Sequence, residues 1–206
     1  MSNKVGIIEY GAGNIKSLAN TFQHINVEVI LINKELDFNK VNYLVLPGVG
    51  AFGYCMEKLN KSKLIPNIIK WINNEKPLLG ICVGMQMLFK SSEEQGHHNG
   101  LGLLDGKMTD LRVENPEVKV PHVGWNKVTF QNNFNLFKKN ETEDFYFAHS
   151  YSFENLENNY ELAHCTHGKK FCAIIKNKNI IGVQFHPEKS QHAGIKFLKN
   201  FLDEKN

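Results

Sequence analysis

Through the first ninety residues, short apolar runs rich in β-branched side chains alternate with helically spaced stretches, and that alternation leaves few architectures open. Residues 5–9, 27–32, 43–46 and 78–81 are the strand-like runs. Between the first two, Ile15, Leu18, Ala19 and Phe22 recur on one helix face. Residues 51–71 are helical in pattern with an interruption at Pro66, and residues 85–89 open a further helix. Strands that are apolar on both sides need cover on both sides, which implies parallel strands between two layers of helices. Residues 100–173 change character. The β-prone runs 118–122, 127–130, 145–148 and 160–166 are separated by Asn, Glu and Gly, the pattern of hairpins or an antiparallel layer. A strand at 180–184 and a helix at 193–202 return to α/β. The expected fold is an α/β open, mostly parallel sheet with flanking helices and a β-rich antiparallel insertion, forming a single domain over residues 1–206.

Composition narrows the class. A chain of 206 residues can be organised around one core, and 42% hydrophobic with 22% charged residues is ordinary globular usage. The longest apolar runs, such as 44–46 and 78–83, are far too short to span a bilayer. The first residues run into a strand-like stretch without the apolar region of a leader, so the expected location is the cytoplasm. A net charge of +3 from scattered lysines, with Arg112 as the only arginine, gives no basis for nucleic-acid binding. The four cysteines, Cys55, Cys82, Cys165 and Cys172, lack C-x-x-C spacing and are expected to be free thiols.

The strongest local signal is Gly80-Ile81-Cys82-Val83-Gly84-Met85-Gln86, where a strand ends, a cysteine occupies the turn and a helix follows. This is the nucleophile-elbow arrangement with sulfur in place of oxygen. Small residues at 80 and 84 let strand and helix approach, and the helix N–H groups favour thiolate. A buried structural cysteine between two packing glycines explains the segment equally well by itself. The second signal is Gly182-Val183-Gln184-Phe185-His186-Pro187-Glu188. Residues i and i+2 of an extended segment face the same way, roughly 6.5–7 Å apart, so Glu188 reaches one imidazole nitrogen and leaves the other for Cys82. A lone His-x-Glu is otherwise a surface turn; both segments at the ends of candidate parallel strands make coincidence a poor account. Pro47-Gly48-Val49-Gly50 follows a strand, and its N–H groups suit a developing oxyanion, although a simple turn explains it as well.

Together these three segments resemble the signatures of the class I glutamine amidotransferases. Tyr10-Gly11-Ala12-Gly13-Asn14, Pro121-His122-Val123-Gly124-Trp125-Asn126, His149-Ser150-Tyr151 and His186-Pro187-Glu188-Lys189-Ser190 are similar to one branch of that family, the glutaminase subunits of imidazole glycerol phosphate synthase in histidine biosynthesis. The resemblance runs from about residue 5 to 202. It implies a Cys82–His186–Glu188 triad, with Cys82 attacking the glutamine amide, His186 protonating ammonia and Glu188 orienting the imidazole. It also implies an oxyanion site at Gly50 and the Val83 N–H. Gln86, Glu94 and the backbone of Ser150 and Tyr151 would recognise the amino-acid end of glutamine. No cofactor and no metal are implied. The partner implied is a (β/α)8-barrel cyclase subunit in a heterodimer, contacted by Asn14, Trp125, Tyr146 and Lys189. On chemistry alone Trp125 reads as a core aromatic of a hairpin, and only the resemblance makes it face a partner. Departures are mild: Val83, Val123 and Glu9 stand where Leu, Met and Asp are common, and none touches the triad. An alternative with the same chemistry is a paralogous subunit that supplies ammonia for amidination of a surface sugar. Spacing along a strand sends His164-Cys165, His167 and Cys172 to opposite faces, which argues against a metal site there.

Overall fold

The computed structural model describes residues 3–113, 116–153 and 160–203. In chain order the first half runs β1 (Lys4–Ile8), α1 (Ile15–His24), β2 (Glu28–Ile32), β3 (Tyr43–Leu46), α2 (Phe52–Ser62), α3 (Ile65–Asn73), β4 (Leu78–Ile81) and α4 (Val83–Gln86). The second half runs β5 (Phe89–Ser92), β6 (His98–Asn99), β7 (Leu104–Asp110), β8 (His122–Phe130), β9 (Thr142–His149), β10 (Tyr151–Ser152), β11 (Glu161–His167), β12 (Lys169–Asn177), β13 (Ile180–Val183) and α5 (Gln191–Asp203).

Among the described residues, nine strands form one sheet in the order β2-β1-β3-β4-β13-β12-β11-β8-β9. From β2 to β13 every neighbour is parallel, and β3, β4 and β13 are buried along nearly their whole length. From β13 to β9 every neighbour is antiparallel. The β-rich middle region therefore contributes mostly to an extension of the same sheet. A second, four-stranded sheet in the order β10-β7-β5-β6 lies beside it.

Three local expectations are corrected. The break in the helical stretch at 51–71 falls at Lys63, which takes a left-handed φ of 61°, and Pro66 sits in the first turn of α3 where a missing N–H costs nothing. The helix expected from 85–89 is a single turn, α4, and Phe89 already begins β5. Residues 118–121 precede β8 rather than forming a strand with His122.

The antiparallel half is held by aromatic packing. Phe145 on β9 stacks on Phe185 at a centroid distance of 3.9 Å, and Phe185 meets Phe147 and the α5 residue Phe197 edge-on. All four are fully buried, and each such side chain contributes about 1.5–3 kcal/mol. Phe185 immediately precedes His186, so this cluster fixes the chain on which His186 sits.

Candidate active site

Three adjacent parallel strands end side by side, and their following segments converge. β3 leads into the Pro47–Gly50 segment, β4 into Cys82 and β13 into His186, with Leu46 paired to Gly80 and Val183 to Ile81. Neighbouring strands lie about 4.8 Å apart, so residues remote in sequence come within reach at the carboxyl edge, where open α/β sheets bind ligands.

Cys82 has φ 53° and ψ −115°, a strained conformation for a residue with a Cβ. Contacts around the glycines explain how the turn is closed. A Cβ on Gly84 would lie 1.9 Å from the Leu46 carbonyl oxygen, and one on Gly80 2.8 Å from the Met85 Cα. A Cβ on Gly48 would meet the Gly84 nitrogen at 2.5 Å, so the Pro47–Gly50 segment lies directly on the elbow. Gly50 has φ 113°, which a side chain resists. Behind this segment the Tyr10 hydroxyl donates to the Pro47 carbonyl at 2.6 Å. Since α4 is one turn long, it offers N–H groups to the site, not the summed dipole of a long helix.

His186 is buried and its Nδ1 lies 3.0 Å from Glu188 Oε1. The sequence led us to expect an extended His-Pro-Glu segment; Pro187–Lys189 instead forms a 3-10 turn that folds Glu188 back under the ring. The turn is anchored to β9: the His186 N–H donates to the Tyr146 carbonyl at 2.9 Å, and the Ser190 hydroxyl accepts from the Tyr146 N–H while donating to the His186 carbonyl. Burial alone would lower the imidazole pKa. The adjacent Cys82 sulfur, with which it shares charge and a hydrogen bond, and Glu188 overcome that and raise it to about 10. The sulfur and the carboxylate together favour the protonated ring.

Cys82, Val83, Gly50, Gln86, Glu94, Ser150, Tyr151, His186 and Lys189 line one cleft of about 230 Å³. Gln86 is buried and donates through Nε2 to the Tyr151 carbonyl and to Gln184 Oε1, both at 3.0 Å. Glu94 has a second task, since its Oε2 accepts from the Phe52 N–H at 2.7 Å and so caps α2 immediately after the Pro47–Gly50 segment. Trp125, 48% exposed, meets Tyr146 edge-on at 6.1 Å, and the Lys189 ammonium lies 5.4 Å from the Tyr146 ring centre. The exposure decides against a core role for Trp125. Asn14 lies in a neighbouring concavity with Val49 and Tyr54, and Val49 borders both hollows.

Several residues at the site were not singled out from sequence. Gln184 donates to Cys82 Sγ at 3.8 Å from the bend just after β13; its place two residues before His186 was the available signal. His149 and Pro121 line the cleft, and His122 bonds His149 from behind. Burial raises the Cys55 thiol to about 11 and that of Cys165 to about 12, and none of the four cysteines is in a disulfide. His164 and His167 bond to Gln131 and to the Lys119 carbonyl, and among the described residues no group of three or more His, Cys, Asp or Glu is arranged to hold a metal.

The sequence model of the glutamine amidotransferase class-I family matches residues 6–205. Imidazole glycerol phosphate synthase subunit HisH of Bacillus subtilis is 40% identical over 200 residues, covering 96% of this chain and 94% of that protein. Subunit HisH 2 of Vibrio vulnificus is 42% identical over 203 residues, covering 97% and 94%. Among solved structures, PurLQS from Thermotoga maritima superposes with a TM-score of 0.75 at 19% identity, covering 98% of this chain and 99% of the compared chain, a likeness of fold. No described helix is long and apolar enough to cross a membrane.

Proposed function

The chain belongs to the class I glutamine amidotransferases, in the HisH branch of imidazole glycerol phosphate synthase, and from that membership we propose how its residues divide the work of a glutaminase. It hydrolyses L-glutamine to glutamate and ammonia in histidine biosynthesis. In the reading proposed here the ammonia passes to a (β/α)8-barrel cyclase subunit in a cytoplasmic heterodimer, which forms imidazole glycerol phosphate and AICAR.

Cys82 Sγ attacks the side-chain amide carbon of glutamine, and the carbonyl oxygen takes up the negative charge. The Gly50 and Val83 N–H groups receive that oxyanion. His186 takes the proton of the attacking Cys82 and gives it to the amide nitrogen as the C–N bond breaks, leaving ammonia and a γ-glutamyl thioester. Once ammonia has left, His186 is without its proton and can take one from water as it attacks the thioester. Glutamate leaves and the pair is restored. Gln86, Glu94, Ser150 and Tyr151 hold the amino-acid end of the substrate, and Asn14, Trp125, Tyr146 and Lys189 face the partner.

The observation that carries this assignment is His186 between the Cys82 sulfur and Glu188 in the cleft, with Nδ1 engaged at 3.0 Å. The test is Cys82→Ala in the two-subunit complex. Glutamine-dependent turnover is expected to disappear while turnover on free ammonium persists, because the thiolate serves only the first half-reaction. Loss of both would assign Cys82 a structural role.

A further inference from the structure

Two buried histidines, His149 in the cleft wall and His122 behind it, take no part in the chemistry above. They form an ordered chain. His149 Nδ1 lies 2.8 Å from the Tyr151 carbonyl oxygen, which can only accept, so this nitrogen carries the proton. In the neutral ring His149 Nε2 is then bare and accepts from His122 Nδ1 at 3.1 Å. His122 Nε2 in turn accepts from Asn126 Nδ2 at 3.1 Å. The Asn126 amide is oriented by its other contacts, Nδ2 to the Thr166 carbonyl at 3.0 Å and Oδ1 to the Lys127 N–H at 2.8 Å. Every proton in the chain points toward Tyr151. Burial holds His149 at about 3 and His122 at about 4, so both rings stay neutral as this order requires.

The end of the chain matters because of where Tyr151 sits. β10 is the edge of the small sheet, pairing only with β7, with Tyr151 opposite Asp110. Leu111 N–H bonds the Ser150 carbonyl, so 150 and 111 are the hydrogen-bonded pair and Tyr151 is the alternate residue. The N–H and C=O of such a residue point together, away from the paired strand. Gln86 and His149 occupy that carbonyl from two directions, and fixing it fixes the N–H beside it.

We propose that Asn126, His122 and His149 are positioning residues that hold the Tyr151 carbonyl and thereby aim the Tyr151 N–H at the carboxylate of bound glutamine. This rests on the glutaminase reading. Two near-isosteric substitutions separate the ends of the His149 ring. His149→Asn keeps a donor where Nδ1 stood, and His149→Gln keeps an acceptor where Nε2 stood while losing the donor to Tyr151. Glutamate release by the two-subunit complex is measured against L-glutamine concentration. His149→Gln is expected to raise KM about 10-fold with kcat within about 3-fold, and His149→Asn, which keeps the donor to Tyr151 but breaks the link to His122, to raise KM only about 3-fold, because a lost ground-state contact appears in KM. Equal effects of the two variants, or a fall in kcat without a rise in KM, overturn the proposal. Should the His149 variants not fold, the same comparison is made at His122, where Asn retains the donor to His149 and Leu removes it. A wild-type complex that releases no glutamate, or releases it without Cys82, would instead overturn the glutaminase reading.

Discussion

Cys82 and His149 show how burial sets the properties of single residues here. The Cys82 backbone conformation costs roughly 1–3 kcal/mol and persists because the strands on either side leave the turn no alternative. His149 is buried neutral, with a folded pKa of about 3 against an unfolded value near 6.5. The unfolded chain therefore binds more protons below that value, and the contribution of His149, intact above about pH 6.5, falls away as pH drops toward 3. His186 works in the opposite sense: its raised pKa contributes fully below about 6.5 and is lost as pH rises through about 10. Comparing wild type with His149→Asn leaves His186 common to both. Denaturant melts at pH 7 and pH 5 should show the wild type losing about 2 kcal/mol more than the variant. Equal losses would mean that His149 is already charged in the fold. The triad pairing was legible because the His-Pro-Glu and Gly-x-Cys-x-Gly segments each carry local chemistry. The histidine chain was not, because Asn126, His122 and His149 meet only when β8 pairs with β9 and β11.

At the level of elements, the active segment is a contact between two turns. The Pro47–Gly50 segment rests on α4 through Gly48 and Gly84, and Glu94 caps the helix into which that segment leads. Gly84→Ala would drive a methyl into the Leu46 carbonyl, a backbone atom that cannot rotate aside. We expect a loss near or above the usual overpacking range, about 3 kcal/mol, and a Tm lower by roughly 6–12 °C. Gly102→Ala is the control. It has φ 64° and nothing within 4 Å, so only backbone strain of about 1–2 kcal/mol applies. Similar unfolding of the two variants would show that the elbow does not touch β3. The strands around the elbow were legible as apolar runs. The shortness of α4 was not: residues 85–89 are as apolar as a helix face, and only pairing of Phe89 with Leu104 makes them leave the helix.

Across the whole molecule, some of the exposed apolar side chains border the cleft or its neighbouring concavity, Val49 and Tyr54 among them. Val49 and Tyr54 are about half exposed, as are Val123 and Trp125 on β8. Apolar side chains left in water at the mouth of a site fit a surface covered by the cyclase. Val49 borders both hollows and lies in the Pro47–Gly50 segment, so in the proposed reading partner contact would bear on the N–H groups next to it. The isolated chain should bind glutamine and turn it over slowly, and adding cyclase with its nucleotide ligand should raise the rate about 100- to 1000-fold, the worth of one oxyanion donor. Gly50→Ala should reduce the stimulated rate, since φ 113° excludes a Cβ. An isolated chain as fast as the complex would remove the coupling.

The sequence by itself determined the local chemistry. Its apolar runs name the parallel strands, its small residues mark the tight turn at Cys82, and His186 and Glu188 are close enough in the chain to meet whatever surrounds them. Tertiary structure decided everything that depends on neighbours across the sheet. Placing β4 between β3 and β13 sets Cys82, His186 and the Pro47–Gly50 segment at one edge. Continuing the sheet from β13 to β9 brings the Tyr146 carbonyl to His186. Those pairings join segments far apart in sequence, and strand periodicity specifies which face a residue occupies but not which strand lies beside it.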